Sequence, residues 1–273
     1  MTPSYQGRAL QRPARPRPRG PAVALVGGLA LALVATGLAL VPWRALRRRY
    51  AVLTDVQVSG LRYLDADRIE RDARLRKGED LLSLDPARVR QLVLTDPRIE
   101  RVDVFRRALR GLEVRIVERV PALAVAHGEP WEIDTAGVLL EPLQPGVVAD
   151  VPMLAGADFS AYRPGTQIRT PQVQRGLAWA AVLGDNALRL AGQVSEVDVA
   201  EDRTTRLVLM NGIRVIGPAW PASTRQLSGL RATLADLERK GMRPTEVDLR
   251  VPEQVIVRDA RPIAADPPGS KPS

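Results

Sequence analysis

Cysteine is absent from all 273 residues, which excludes structural disulfides and thiolate-bound metal. A Cys-free domain folds in any redox compartment, so export is compatible with this absence. Histidine occurs once, at His127, beside Gly128 in an expected hairpin turn. A catalytic histidine needs a nucleophile or carboxylate within reach, and a metal centre needs several ligands of this kind. No G-x-S-x-G elbow, P-loop, G-x-G-x-x-G or HExxH pattern stands in the chain. The close carboxylates Asp65/Asp67 and Glu79/Asp80 fall at helix starts and loops, where capping accounts for them. The expectation is therefore a protein without catalytic residues, metal or cofactor.

Aromatic residues are scarce, at 4% of the chain, which leaves little for base-stacking platforms. The four Trp are expected in core or membrane-interface packing, Trp43 near a membrane and Trp179 on a helix. Acidic charge is missing from residues 1–50, which hold nine Arg. The other 31 basic groups are balanced by 31 acidic ones, so the net charge of +9 belongs to the N-terminal segment. A nucleic-acid footprint needs a basic excess on the folded part, and none exists there.

What the chain does have is one long apolar run. Ala22 to Val41 is twenty residues without charge, bounded by Pro21 and Pro42. A helix of that length covers roughly 30 Å, the hydrocarbon thickness of a bilayer. Its ten Leu and Val residues contribute about −3 to −6 kcal/mol toward insertion. A secretory signal has a shorter apolar core with a small-x-small site after it, whereas Ala35-Thr36-Gly37 lies inside this run. The segment 22–42 is expected to be a retained transmembrane helix. Ala24, Gly28, Ala32 and Thr36 form a small-residue stripe that could pack another helix. Five Arg precede the span and four follow it, nearly a tie. A short leading tail and a long trailing domain place the N-terminus in the cytoplasm and the domain outside.

Residues 1–21, rich in Pro and Arg, are expected to be a disordered basic tail, and 43–50 a juxtamembrane spacer. From 51 to 119 the pattern is strand, helix, helix, strand, strand. Asp55–Val58 alternates; Asp65 and Asp85 stand at helix caps, with Pro86 at a first helical position. Val102 and Val104, then Leu112, Val114 and Ile116, alternate across a turn. From 120 to 259 strands dominate. Thr170-Pro171 opens a helix whose Val173, Leu177, Ala180 and Ala181 are expected to face inward. Asn211-Gly212 is the strongest hairpin signal and predicts positive φ at both residues. Ser223 opens a helix with Leu227, Leu230, Leu234 and Leu237 on one stripe. Strands Glu246–Val251 and Gln254–Arg258 end the fold, and 260–273 are expected to be a disordered tail. The fold class is α+β: a single transmembrane helix, a small β-α-α-β-β domain, and a mainly antiparallel β domain with flanking helices.

Five segments in order resemble the FtsQ/DivIB cell-division family. Val56-Gln57-Val58-Ser59-Gly60 resembles the opening strand of its POTRA (polypeptide-transport-associated) domain. Asp96 through Val104 resembles the family's dPwV-type segment, with Ile99 following an Arg. Glu118-Arg119-Val120-Pro121-Ala122 is similar to the junction with the following β domain, and Ile133 through Val138 to a family hairpin. Val247-Asp248-Leu249-Arg250 resembles the start of its terminal strand region. The resemblance implies a non-enzymatic divisome scaffold in the cytoplasmic membrane, enriched at the septum. Such a protein binds the bitopic proteins FtsB and FtsL and helps control septal peptidoglycan synthesis, and its POTRA domain contacts other division proteins. A last strand left at a sheet edge could pair with a partner strand. The candidate contacts are Arg250, Val251, Val255, Ile256, Val257 and Arg258, the two Arg selecting an acidic partner. The competing expectation is a POTRA-bearing export or envelope-assembly factor. An export barrel would need many more strands.

Overall fold

Residues 21–43, 51–107, 110–188 and 190–262 are described by the structure, which is a computed structural model. The expected basic tail up to residue 20, the spacer from residue 44 and residues 263–273 lie outside them. The first element, α1 (Pro21–Leu40), is twenty residues long. Its side chains are described from Val26 onward, and Val26, Leu29, Leu31, Leu33 and Leu40 are all exposed. Among the described residues no helix is long and apolar enough to cross a membrane. Ala24 and Gly28 lie on α1, and the Thr36 hydroxyl donates to the Ala32 carbonyl at 2.8 Å. That bond satisfies the hydroxyl inside its own helix.

From Val52 onward the described residues form a second unit with two sheets that carry its cores. The first has three strands, β1 (Asp55–Ser59), β2 (Ile99–Arg107) and β3 (Gly111–Glu118), in the order β1-β3-β2. β1 runs parallel to β3, which requires a long crossover, and α2 (Ala66–Asp72) and α3 (Pro86–Val93) supply part of it. Leu112, Val114 and Ile116 alternate along β3 and close the core with Ile69, Val89 and Val93. Asp85 caps α3 by accepting from the Ala87 N–H, whereas Asp65 stands at its cap position without a side-chain bond. Gly60 is required by packing. At φ +85° a Cβ would meet the Ile116 carbonyl at 2.0 Å.

The second sheet contains β4 (Pro121–His127), β5 (Glu129–Asp134), β6 (Leu139–Leu140), β7 (Met153–Ala155), β8 (Val194–Asp198), β9 (Thr204–Leu209), β10 (Arg214–Pro218), β12 (Glu246–Asp248) and β13 (Ile256–Arg258). Their order is β13-β12-β10-β9-β8-β7-β4-β5-β6. The sheet is mixed: β4·β7, β7·β8 and β10·β12 are parallel pairs. Two of these pairs are bridged by helices, α4 (Pro171–Leu183) between β7 and β8 and α5 (Thr224–Arg239) between β10 and β12. A parallel neighbour needs a long crossover, which between β4 and β7 runs through β5 and β6 instead of a helix.

The buried stripe of α4 is Val173, Gly176, Trp179 and Leu183, while Ala181 is exposed and Leu177 and Ala180 are half-buried. Val173, Leu177 and Ala180 do pack against the core as expected and Ala181 does not; the stripe centres on Gly176 and Trp179, where two glycines receive large groups. A Cβ on Gly176 would lie 2.5 Å from Leu154, and one on Gly217 would lie 2.7 Å from the Trp179 ring. The β9–β10 hairpin also departs from expectation. Only Gly212 takes a positive φ. The Leu209 carbonyl accepts from Gly212 and its N–H donates to Ile213, a three-residue loop in which Asn211 Oδ1 accepts from the Ile213 N–H.

The two sheets meet across a buried ion pair. Arg98 Nη2 lies 2.6 Å from Glu132 Oε2, with both side chains almost fully buried. The same guanidinium donates to the Glu141 carbonyl, and Glu132 Oε1 accepts from the Ala149 N–H at 2.6 Å. Beside it Arg119 Nη1 reaches Asp134 Oδ2 at 2.8 Å. Arg98→Ala strands Glu132 without a counter-ion and is expected to cost about 3–5 kcal/mol. Urea unfolding of the full chain, followed by circular dichroism, measures the loss.

Candidate functional site

The C-terminal edge is built from a short hairpin. β12 pairs with β13 through Glu246↔Arg258, Val247↔Val257 and Asp248↔Ile256. The same antiparallel register continues between β11 (Met242–Arg243) and β14 (Arg261–Pro262), as Arg243↔Arg261 and Met242↔Pro262. The two pieces are one hairpin interrupted where Pro244 lacks an N–H and Asp259 takes φ 49°. Residues 261–262, expected in the tail, therefore belong to the edge. The strands are shorter than expected because 249–255 form the connecting loop.

Register assigns the backbone groups. Arg214 N–H donates to the Thr245 carbonyl and Leu249 N–H donates to the Ile216 carbonyl, so odd-numbered residues of this stretch face β10. Glu246 and Asp248 then face β13, and Val247↔Val257 is the non-hydrogen-bonded pair. The N–H and C=O of Val257 point away from the sheet. β13 has no further strand beside it in the sheet order. Val257 shares its face with the fully buried Val247, and half-buried Val255 packs on the same core under α5. Ile256 and Arg258 share the opposite face with Asp248 and Glu246.

Asp248 organises that opposite face. Its carboxylate is buried and bonds Arg250 three ways: Oδ1 accepts from the backbone N–H at 2.9 Å and from Nε at 3.0 Å, and Oδ2 accepts from Nη2 at 2.7 Å. Arg258 Nη2 also donates to Oδ2 at 2.9 Å and lies near Glu246, its Nη1 3.5 Å from Oε1. The Arg250 hydrogen bond, followed in effect by the opposing pull of burial, holds the Asp248 carboxyl below its usual range. Both arginines offered as selectors of an acidic partner are thus engaged within the chain, and their outer N–H groups remain at the surface. Val251 is exposed in the loop.

His127 lies elsewhere, stacked on Trp131 at 4.0 Å between ring centroids, with Nε2 2.9 Å from the Tyr162 carbonyl. Among the described residues no group of His, Asp and Glu is arranged to hold a metal ion.

Residues 53–119, the first sheet with its helices, match the family model described as POTRA domain, FtsQ-type. The chain is 30% identical over 255 residues to a "Cell division protein FtsQ" of Salinibacter ruber, covering 88% of this chain and 93% of that one. The chain belongs to the FtsQ family. Similar FtsQ proteins occur in Myxococcus fulvus, 29% identical over 73% of this chain and 70% of the relative, and in Anaeromyxobacter, 26% identical over 89% and 83%.

Within this FtsQ-family fold, sequence reasoning placed Asp248 in the terminal strand but not among its functional side chains, and missed Gln226 altogether. Asp248 carried a signal in its spacing to Arg250; Gln226 carried none, because its partners lie some 25 residues away. The Asp248 contribution to stability is fully present above about pH 4, the ordinary carboxylate value, and is lost as pH falls through its lower folded-state value. Asp248→Asn is expected to lower the urea midpoint at neutral pH and flatten the acid-side decline, as measured between about pH 5 and pH 2.

Proposed function

We propose that this chain is a non-enzymatic scaffold of the bacterial division machinery, anchored in the cytoplasmic membrane by α1 with its large unit outside. It works by docking FtsB- and FtsL-like bitopic proteins, the partner strand adding to β13, and so takes part in controlling septal peptidoglycan synthesis. The observation that carries the docking site is the outward N–H and C=O of Val257 at the end of a nine-stranded sheet. An incoming strand would continue the ladder there and meet Ile256 and Arg258 on one face and Val257 on the other. The POTRA-type lobe, residues 53–119, serves contacts with other division proteins.

Support for the anchor comes from the sequence, where Ala22 to Val41 carries no charge, and from the exposure of the apolar side chains from Val26 onward. Helix packing through Ala24, Gly28, Ala32 and Thr36 is part of the same proposal.

Two measurements test this function. Val257→Pro removes the outward N–H while leaving the bonds of Glu246↔Arg258 and Asp248↔Ile256 in place, since edge strands tolerate proline. Copurification of the cell's FtsB-like protein with the full-length chain is expected to fall at least tenfold, at unchanged protein level; full retention refutes strand addition. For topology, the Cys-free chain accepts a single probe at exposed Ser160. Ser160→Cys is expected to react with a membrane-impermeant maleimide in intact spheroplasts, and labelling only after lysis refutes the orientation.

A further inference from the structure

The loop that delivers the chain from β12 into β13 has few backbone bonds of its own. Gln254 N–H donates to the Val251 carbonyl at 3.2 Å, and Glu253 sits at φ 60°, an unfavourable conformation for a non-glycine residue. The β12–β13 ladder covers only three residue pairs. β12 is tied to β10, but three pairs leave the path of the 249–255 loop unset. The loop needs a further support.

One buried side chain supplies it from the helix face. Gln226, in the first turn of α5, is 5% exposed. Its Nε2 lies 2.9 Å from the Leu249 carbonyl, 2.8 Å from that of Val251 and 2.7 Å from that of Gln254. Two amide hydrogens serve three acceptors, so one hydrogen is shared. The three carbonyls come from the start, middle and end of the loop, and a single amide therefore sets its path. The first turn of α5 is itself fixed, with Ser223 Oγ accepting from the Gln226 N–H at 3.1 Å and donating to Glu253 Oε1 at 2.9 Å. Next along the helix, Gly229 lies over Val255, whose Cγ2 would make an ordinary 3.5 Å contact with an added Cβ.

We infer that Gln226 is a positioning residue for the docking edge: its amide presets the 249–255 loop so that β13 presents Val257 ready to pair. This inference rests on the proposal that β13 is the docking strand. Preorganisation matters because an edge that must first be ordered binds more weakly by the cost of that ordering. The inference requires an amide donor at 226. Gln226→Met keeps the length and removes both donors. Gln226→Glu aims a carboxylate at three carbonyl oxygens.

The test uses the full-length chain and reads three quantities: copurification of the FtsB-like protein, the global unfolding midpoint, and amide hydrogen exchange along residues 249–258. Both variants are expected to exchange faster over 249–258, with protection elsewhere in the sheet retained, and to capture the partner roughly ten- to hundredfold less. A merely structural role would lower protection throughout the sheet together with the midpoint. Wild-type partner capture and wild-type exchange in Gln226→Met, beside a Val257→Pro variant that loses capture, overturns the positioning role and leaves the docking edge standing. Undiminished capture by Val257→Pro overturns both. If the variants unfold globally, the wild-type chain decides: the Gln226 side-chain amide protons are expected to be protected from solvent exchange, and rapid exchange overturns the inference.

Discussion

Backbone hydrogen bonding between strands is the constraint on which the large sheet depends, and it is unfinished at one end. The ladder runs from β6 through β4 and β8 to β12, each interior strand answered on both sides, and stops at β13. An unpaired strand edge invites another chain, and natural proteins usually blunt it with charge, proline or brevity. This edge carries each of these devices. β13 is three residues long and ends at Arg258, and Arg261 and Pro262 follow it in β14. Val255, Ile256 and Val257 precede them, Val255 packed under α5 and Val257 with its backbone N–H and C=O turned away from the sheet.

The edge is held from both faces by different chemistry. On the helix face, apolar packing under α5 and the Gln226 amide fix the loop and Val255. On the open face, the buried Asp248 carboxylate gathers Arg250 and Arg258, neutralising charges that would otherwise repel across the hairpin. Removing either support leaves unpaired polar groups in a desolvated place, which costs more than the bonds themselves contribute. The same reasoning applies at the other end of this unit. There Arg98 and Glu132 join the POTRA-type lobe to the large sheet, and a rotation between the lobes would separate a dry ion pair.

Local periodicity and capping made most elements legible from residue types alone. Alternation in Leu112-Glu113-Val114-Arg115-Ile116 marks a strand with one buried face, and Thr170-Pro171 and Ser223 mark helix starts that depend on their nearest neighbours. Where the outcome depended on distant groups, periodicity pointed elsewhere. The stripe of α4 centres on Trp179, where Gly217, far along the chain, leaves space for its ring. The Asn211-Gly212 loop took one positive φ instead of two, as the Asn side chain found the Ile213 N–H.

Composition determined that the chain lacks disulfides and carries its basic excess beside one apolar run, and alternation determined that its last strands are half apolar. Those properties follow from residue types and spacing within a few positions. Tertiary structure alone decided that the sheet is mixed, that β13 stands at its end, and that Arg250 and Arg258 close on Asp248. It alone brought the Gln226 amide to carbonyls 23 to 28 residues away. Strand order and buried polar pairing depend on which surfaces meet across long loops, and no local pattern of side chains encodes that meeting.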